Sequence, residues 1–470
     1  MSPTGPNVVL VVLDTARADA VGSGHDTAFA QLGRAGRRFH HAVAPAPWTL
    51  PSHASIFSGL RPSDHGVTGA AVMTDAGPRS PRPRVEALAD RWLPEIMRRK
   101  GYATFCATGN PWVGPATGLT LGFDTIFESW RTAPLPKLAD PLGTGGASAS
   151  VVRKAKWYAR RALGLGDGGA AASLSVFGSF LDGHGGRPFF AFFNVTEPHA
   201  PYAPPRGYRG APSLAALRVV RRWNADRMLR YNTGREEIPD EELALLRSQY
   251  RGEISYTDAW LARLLDRLEG AGLAQDTVVA VTADHGENLG EHHLLSHVMS
   301  MHETLLHVPL VLAGPGVPAG EERAPVGLTA LPATLLAALE GRWQDPAAVG
   351  TGAVVGAGGV PVAEYESAAA QVSGARRLDE QVRPELRERM RARWFAAYEG
   401  SLKYTASSGG HERLVDLEAD PAEDRDVSSA HPEPLARLRA AREGWAGDAE
   451  TDGEVLDAEI TAHLEGLGYL

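Results

Sequence analysis

Three apolar runs in this sequence give way abruptly to residues that can hold a metal or move a proton. NVVLVVL, residues 7–13, ends in Asp14-Thr15-Ala16-Arg17. FFAFFNV, residues 189–195, leads into Glu197-Pro198-His199 and on to Tyr202. TVVAVT, residues 277–282, leads into Asp284-His285-Gly286-Glu287. A carboxylate placed directly after a buried strand is costly unless a charge or a metal pairs with it. Asp14 and Asp284 share that setting, and His285 adds a nitrogen donor. Two carboxylates and one imidazole suit zinc, manganese or a similar divalent ion. Taken singly, an aspartate at a strand end is more often a turn or cap residue. A fourth segment, PWTLPSHAS, residues 47–55, carries a hydroxyl. Pro51 fits the first turn of a helix that would run to Ser58 and stop at Gly59. Thr49 then sits at the helix entrance, where unpaired N–H groups and the helix dipole favour anions. A hydroxyl held there against a divalent ion can ionise and attack phosphorus or sulfur. On its own, Thr49 reads better as a simple helix cap.

These residues need a scaffold that brings four distant segments together. The β-branched and aromatic runs fit strands buried on both faces of a parallel sheet. Residues 102–107 and 308–312 are further strand candidates. Leu243, Leu246, Tyr250, Ile254, Leu261, Leu264, Leu265 and Leu268 recur at helical spacing and predict a long amphipathic helix over 239–269. Strands alternating with helices predict an α/β fold with a mainly parallel central sheet sandwiched by helices. In such sheets ligands bind outside the carboxyl ends of the strands, where the chemical residues fall. Residues 136–186 and 206–236 shift in composition and read as insertions or a lid. The basic stretch within the first (Arg153, Lys154, Lys156, Arg160, Arg161) reads as a solvated helix face. Residues 341–362 read as a linker, and 401–407 and 412–417 as strands beyond it. The expected division is a catalytic domain over 1–345 and a smaller C-terminal α+β subdomain over 346–470.

Composition narrows the classes. The chain has 470 residues and a net charge of −9, which argues against a nucleic-acid or anionic-membrane partner. The single cysteine, Cys106, permits neither an intrachain disulfide nor a cysteine-based zinc cluster. Only Lys100, Lys137, Lys154, Lys156 and Lys403 are lysines, so each lysine position, occupied or missing, is informative. The opening residues carry no basic n-region or cleavage site, and no apolar run is long enough to span a bilayer. The expectation is a soluble, cytoplasmic protein; oligomeric state is invisible at this level.

The segments together resemble the sulfatase-like branch of the alkaline phosphatase superfamily, in the family's order and over nearly the whole length. NVVLVVLDTARAD resembles the opening metal strand and APWTLPSHASIFSGLRPSDHGV the nucleophile helix. GYATFCATGNPWV is similar to the following strand, and FFAFFNVTEPHAPYAPP to the substrate-histidine segment. AVTADHGENLGEHHLLSH and HVPLVLAGPGV are similar to the second metal segment and its neighbour. LKYTASSGGHERLVDLEADPAED resembles the C-terminal subdomain. The resemblance implies one divalent ion (manganese, zinc, magnesium or calcium) held by Asp14, Asp284 and His285 with Thr49 as metal-touching nucleophile. It implies that His199 and His297 bind the anionic ester or protonate the leaving group. Arg17 would orient the nucleophile loop or pair with Asp19. Asn110, His53, Glu197 and Tyr202 become candidates around a small-molecule anionic ester.

The departures from the family pattern carry equal weight. Formylglycine sulfatases mature a cysteine in C-x-P-x-R; here those positions hold Thr49 and His53, so no formylglycine can form. Two expected lysines are Asn110 and His297, and the second acidic position beside Asp14 is Thr15. Threonine lacks the second hydroxyl by which a hydrated aldehyde expels sulfate. The expectation is therefore a metal-dependent hydrolase of a phosphodiester or phosphonate monoester acting through a phospho-enzyme at Thr49. A sulfatase working without formylglycine, a soluble phospho-group transferase and a non-catalytic binding protein are the rivals. With histidine replacing lysine, anion binding is expected to weaken as His297 deprotonates near neutral pH.

Overall fold

A computed structural model describes residues 5–131 apart from 23, 75 and 76, then 166–209, 225–343, 360–368, and 390–467 apart from 443, 444 and 446–452. Most of the expected insertion over 136–186 and the middle of that over 206–236 lie outside the described residues. So do the basic stretch from Arg153 to Arg161 and most of the expected linker.

Among the described residues, nine strands form one sheet. In chain order the elements that matter are β1 (Asn7–Leu13), β2 (Arg37–Val43), β3 (Ala103–Thr108), β4 (Thr125–Glu128), β5 (Phe189–Val195), β6 (Thr277–Thr282), β7 (His307–Ala313), β8 (Gly320–Glu322) and β9 (Val326–Gly327). The order across the sheet is β8-β2-β7-β6-β1-β5-β3-β4, with β9 also on β2. β1 pairs in parallel with both β5 and β6, and β5 with β3. Only β7 runs against its neighbours. Every residue of β1, β3, β5 and β6 is buried. That two-sided burial explains why these strands read as unbroken apolar runs rather than alternating ones. The mainly parallel α/β sheet expected from the sequence is therefore present.

The helices pack where the apolar stripes require. They include α1 (Ala28–Ala35), α2 (Thr49–Ser58), α3 (Ala170–Gly183), α4 (Asp240–Gly270), the single turn α5 (Glu303–Leu306) and α6 (Leu331–Leu339). In α4 the predicted Leu243, Leu246, Tyr250, Ile254, Leu261, Leu264 and Leu268 are all buried. Asp240, Glu241 and Glu242 occupy its first turn, where they complement the dipole. α2 ends where expected: Gly59 takes φ 72°, a conformation glycine adopts without a Cβ clash.

Strand β2 is not visible in the sequence pattern. RRFHHAV buries only Phe39, Ala42 and Val43. It lies close to the sheet edge, flanked by the short β8 and β9, so its arginines and histidines need not be buried.

A second, fully antiparallel sheet follows: β10 (Val362–Tyr365), β11 (Trp394–Glu399), β12 (Leu402–Ser407) and β13 (Glu412–Asp416), paired in that order. Alternation along β11 divides its side chains. Ala396 and Tyr398 join the main core, whereas Phe395 and Ala397 join a small separate cluster with Tyr404 and Leu414.

Candidate active site

Four loops converge beyond the carboxyl ends of β1, β3, β5 and β6. β1 delivers Asp14, whose backbone N–H is fixed on the Val195 carbonyl at 2.9 Å. Thr15 follows in the left-handed region at φ 62°. The hydroxyl of Tyr250, on α4, holds this turn: it donates to the Thr15 carbonyl and accepts from the Arg17 N–H, both at 2.9 Å. β6 delivers Asp284 and His285, and α2 delivers Thr49. Asp14, Thr49, Asp284 and His285 are all fully buried.

Each carboxylate has one oxygen satisfied and one left open. Asp14 Oδ2 accepts from Asn110 Nδ2 at 2.9 Å and from Asn194 Nδ2 at 3.4 Å. Asp284 Oδ1 accepts from the His285 and Thr15 N–H groups at 3.0 and 3.3 Å. Asp14 Oδ1 and Asp284 Oδ2 have no hydrogen-bond partner among the described residues. Both face His285 Nε2, at 3.9 and 3.4 Å. His285 Nδ1–H donates to the Gly286 carbonyl at 2.9 Å, which leaves the Nε2 lone pair for a ligand. Thr49 Oγ1 lies 3.3 Å from that same Nε2 and 3.4 Å from Asn110 Nδ2. Two orphaned buried carboxylate oxygens and an imidazole lone pair, within 4.8 Å of one another, match the donor set of a divalent cation. The electrostatics agree. Burial and the neighbouring Asp14 push Asp284 well above the usual carboxylate range. Burial would also raise Asp14, but His199, His285 and the Asn110 hydrogen bond hold it below that range. Two buried carboxylates this close resist ionising together without a cation.

The other predicted residues divide into those around Thr49 and those supporting from further out. Asn110 has a fixed orientation: its Oδ1 accepts from the Trp112 N–H at 3.1 Å, so its amide N–H groups face Asp14 and Thr49. His53 is fully buried, donates from Nδ1 to the Thr49 carbonyl at 2.9 Å and lies 3.4 Å from Asp284 Oδ2. Burial pushes it down to about 4. It braces α2 against Asp284 through Nδ1. His199 directs Nδ1–H to the Ala200 carbonyl at 2.8 Å, and its ring lies 5.2 Å from that of His297. His297 in turn lies 4.6 Å from the His285 ring. Glu197 accepts from the Ala170 N–H at 3.0 Å and so caps α3. Arg17 grips Asp19 with two hydrogen bonds and reaches Glu291 at 2.8 Å. Of its two expected roles the structure shows the ion pair. Cys106 is buried within β3, and burial raises its thiol pKa.

Glu287 joins the site beyond the residues expected from the sequence. It is fully buried, accepts from the Tyr202 hydroxyl at 2.7 Å and meets His297 Nδ1 at 3.2 Å. Tyr202 therefore acts through Glu287. The signal for Glu287 in the sequence is its place as the last residue of the Asp-His-Gly-Glu group. Burial pushes Glu287 up to about 8, while burial and the charge of His199 push His297 down to about 3. Both shifts favour a neutral imidazole at His297 over the cation expected from the sequence. With Glu287 protonated, its O–H donates to Nδ1 and leaves Nε2–H as a donor.

The family model described as Sulfatase matches residues 6–341. A choline-sulfatase of Rhizobium meliloti (strain 1021) is 25% identical over 494 residues, covering 98% of this chain and 90% of that protein. Among solved structures, a phosphonate monoester hydrolase of Agrobacterium radiobacter superposes with a TM-score of 0.60 at 19% identity, covering 93% of this chain and 94% of the other. A 2-O GAG sulfatase gives 0.61 at 16% identity, covering 99% and 98%. At those identities the structural likeness establishes the fold.

Proposed function

The chain belongs to the sulfatase family of hydrolytic enzymes, and within it we propose a metal-dependent hydrolase of phosphodiesters or phosphonate monoesters with Thr49 as nucleophile. The observation that carries this reading is the position of Thr49 Oγ1, 3.3 Å from the His285 nitrogen that faces both open carboxylate oxygens. Asp14, Asp284 and His285 would hold the ion, whose chemistry is to acidify the hydroxyl and to neutralise charge on the ester. The choice of phosphorus over sulfur rests on threonine itself. A threonine ester can be cleared only by attack of water, the route of a phospho-enzyme, because no second hydroxyl is available to expel sulfate.

The surrounding side chains suit an ester carrying a single negative charge. Among the described residues, the partners of Thr49 and the two aspartates include His285, Asn110, His53 and Asn194, none of them a lysine or arginine. A divalent cation offset by two carboxylates leaves the site near neutral, which favours a monoanionic diester over a dianionic monoester. In the first step Oγ1 loses its proton and bonds to phosphorus as the bond from phosphorus to the leaving oxygen breaks. His199 passes that proton to the leaving oxygen through Nε2, since its Nδ1 is committed, and Asn110 Nδ2–H and His297 Nε2–H donate to the ester oxygens. In the second step a water oxygen bonds to phosphorus, the P–Oγ1 bond breaks, and a proton of that water returns to Thr49.

The test is a panel of matched aryl esters, a phosphodiester, a phosphonate monoester and a sulfate, assayed after reconstitution with each candidate ion. The phosphorus esters should react faster, and Thr49→Ala should lower their kcat by on the order of 10⁴-fold or more. Retained turnover in Thr49→Ala would remove the nucleophile assignment. A formylglycine-free sulfatase is the second reading, favoured by the choline-sulfatase match across nearly the whole chain. A dominant rate on aryl sulfate would select it.

A further inference from the structure

The rings of His292 and His302 lie stacked, with centroids 3.7 Å apart and planes 8° from parallel. The carboxylate of Glu423 lies beside them. One ligand-capable atom from each residue falls within 4.8 Å of the other two. His302 Nδ1 stands 3.3 Å from Glu423 Oε2. That is long for a charge-assisted hydrogen bond, and it matches the edge of a tetrahedron with metal–ligand bonds of about 2.0 Å. We propose that His292, His302 and Glu423 form a second divalent-metal site, for zinc or a similar ion, separate from Asp14, Asp284 and His285.

The carboxylate is oriented independently of any ion. Glu423 is buried, its Oε1 accepts from Lys403 Nζ at 2.7 Å, and its Oε2 also accepts from the Glu303 N–H at 2.8 Å. The loop that carries His292 is held in an unusual conformation. His292 and His293 both occupy the left-handed region, at φ 51° and 56°, which for non-glycine residues costs about 1 kcal/mol or more each. This places the His292 ring over His302. An ion in the plane of one stacked ring lies off the plane of the other, so His292 must turn out of the stack to bind. Its exposure makes that turn cheap. A cavity of about 450 Å³ lined in part by His302, Glu423, Trp394, His411 and Arg413 opens beside the cluster. It has room for water or an anion as the fourth donor. An ion here would clamp the segment after β13 onto the loop leading into α5. The α5 backbone carbonyls of Thr304 and Leu305 hold the N–H groups of Glu287 and Gly286.

The full-length protein, stripped with chelator and re-equilibrated with Zn²⁺ alone, provides the test by elemental ion counting. His302→Ala and His292→Ala should each bind one ion fewer than the wild type. An Asp14→Asn/Asp284→Asn double variant should keep one ion and lose it when His302→Ala is added. Cobalt in that double variant should show tetrahedral d–d absorption that His302→Ala removes. An unchanged ion count in His302→Ala would overturn the proposal. If the double variant does not fold, wild type against His302→Ala decides alone.

Discussion

At Glu287 and His297 the chemistry turns on where one proton sits. Glu287 held up to about 8 beside His297 held down to about 3 describes a neutral pair, with the carboxyl O–H on Nδ1. Glutamine can mimic that arrangement, since its amide N–H donates to Nδ1 while its oxygen accepts from Tyr202. Glu287→Gln should therefore retain activity within about tenfold, while Glu287→Leu, which frees the imidazole, should lose about 10²-fold in kcat. Steady-state kinetics on the preferred aryl ester measures both; equal losses in the two variants would mean that an ionised Glu287 is required. Asp14, Asp284 and His285 are legible in the sequence because they follow strands with strong hydrophobic runs, whereas Thr49 takes its meaning from the family resemblance. The sequence leaves Asn194 and Tyr250 unmarked because their roles are defined by partners far away in the chain, and Glu287 because its pairing with His297 and Tyr202 appears only in the folded loop. Asn194 is an extreme case: it reads as an ordinary polar residue within an apolar strand, yet its side chain touches Asp14, Asn110 and Thr108.

Among the elements, the loop after β6 depends on a close approach that only glycine permits. A Cβ on Gly286 would lie 2.1 Å from the Thr304 carbonyl oxygen of α5, a backbone atom that cannot swing aside, and 3.2 Å from Arg17 Cγ. Gly286→Ala should push Asp284 and His285 apart from Asp14, weakening metal binding by at least about tenfold and lowering the unfolding temperature. Zinc titration and a thermal melt of the same sample check both effects. The antiparallel sheet offers a pH prediction. Hydrogen bonds from Arg439 and then Tyr404 hold Glu412, on β13, down to about 2. A depressed carboxyl contributes stability above its unfolded value near 4.5, and that contribution is lost as pH falls toward about 2. Glu412 is partly solvent-exposed, so screening limits the effect to about 1 kcal/mol or less. Amide protection in β12 and β13, relative to the intrinsic exchange rate at each pH, should fall over that window in the wild type, and Glu412→Gln should flatten the dependence. Strand edges explain what the sequence could not show here. β1, β3, β5 and β6 are buried on both faces and announce themselves, whereas β2 and β4 leave polar or exposed residues in the pattern.

For the whole molecule, the question is whether the expected division near residue 345 separates two folding units. The antiparallel sheet is tied to the catalytic elements at several points. Glu366, just after β10, accepts from Trp48 Nε1 at 3.3 Å, one residue before Thr49. Glu364 accepts from the Ser63 N–H at 2.7 Å, and the Tyr365 hydroxyl accepts from the Met299 N–H at 3.3 Å. Lys403, one of the scarce lysines, is fully buried and bridges Glu303 on α5 to Glu423 at 2.9 and 2.7 Å. Removing one partner from such a cluster leaves uncompensated buried charge, so Lys403→Met should destabilise the protein by about 3–5 kcal/mol. Denaturant unfolding in chelator measures it without interference from bound metal. The shared core argues the same way, since Ala363, Tyr365, Ala396 and Tyr398 belong to the hydrophobic cluster that includes β1 and β5. A chain ended at residue 345 would expose that surface and strand the loop bearing Trp48 and Thr49 without Glu366. We expect it to lack a cooperative thermal transition and to bind no ion at Asp14, Asp284 and His285. A fragment that melted cooperatively near the full chain's temperature and retained that ion would establish the division as one of folding, with the second sheet an appendage rather than part of the active-site frame.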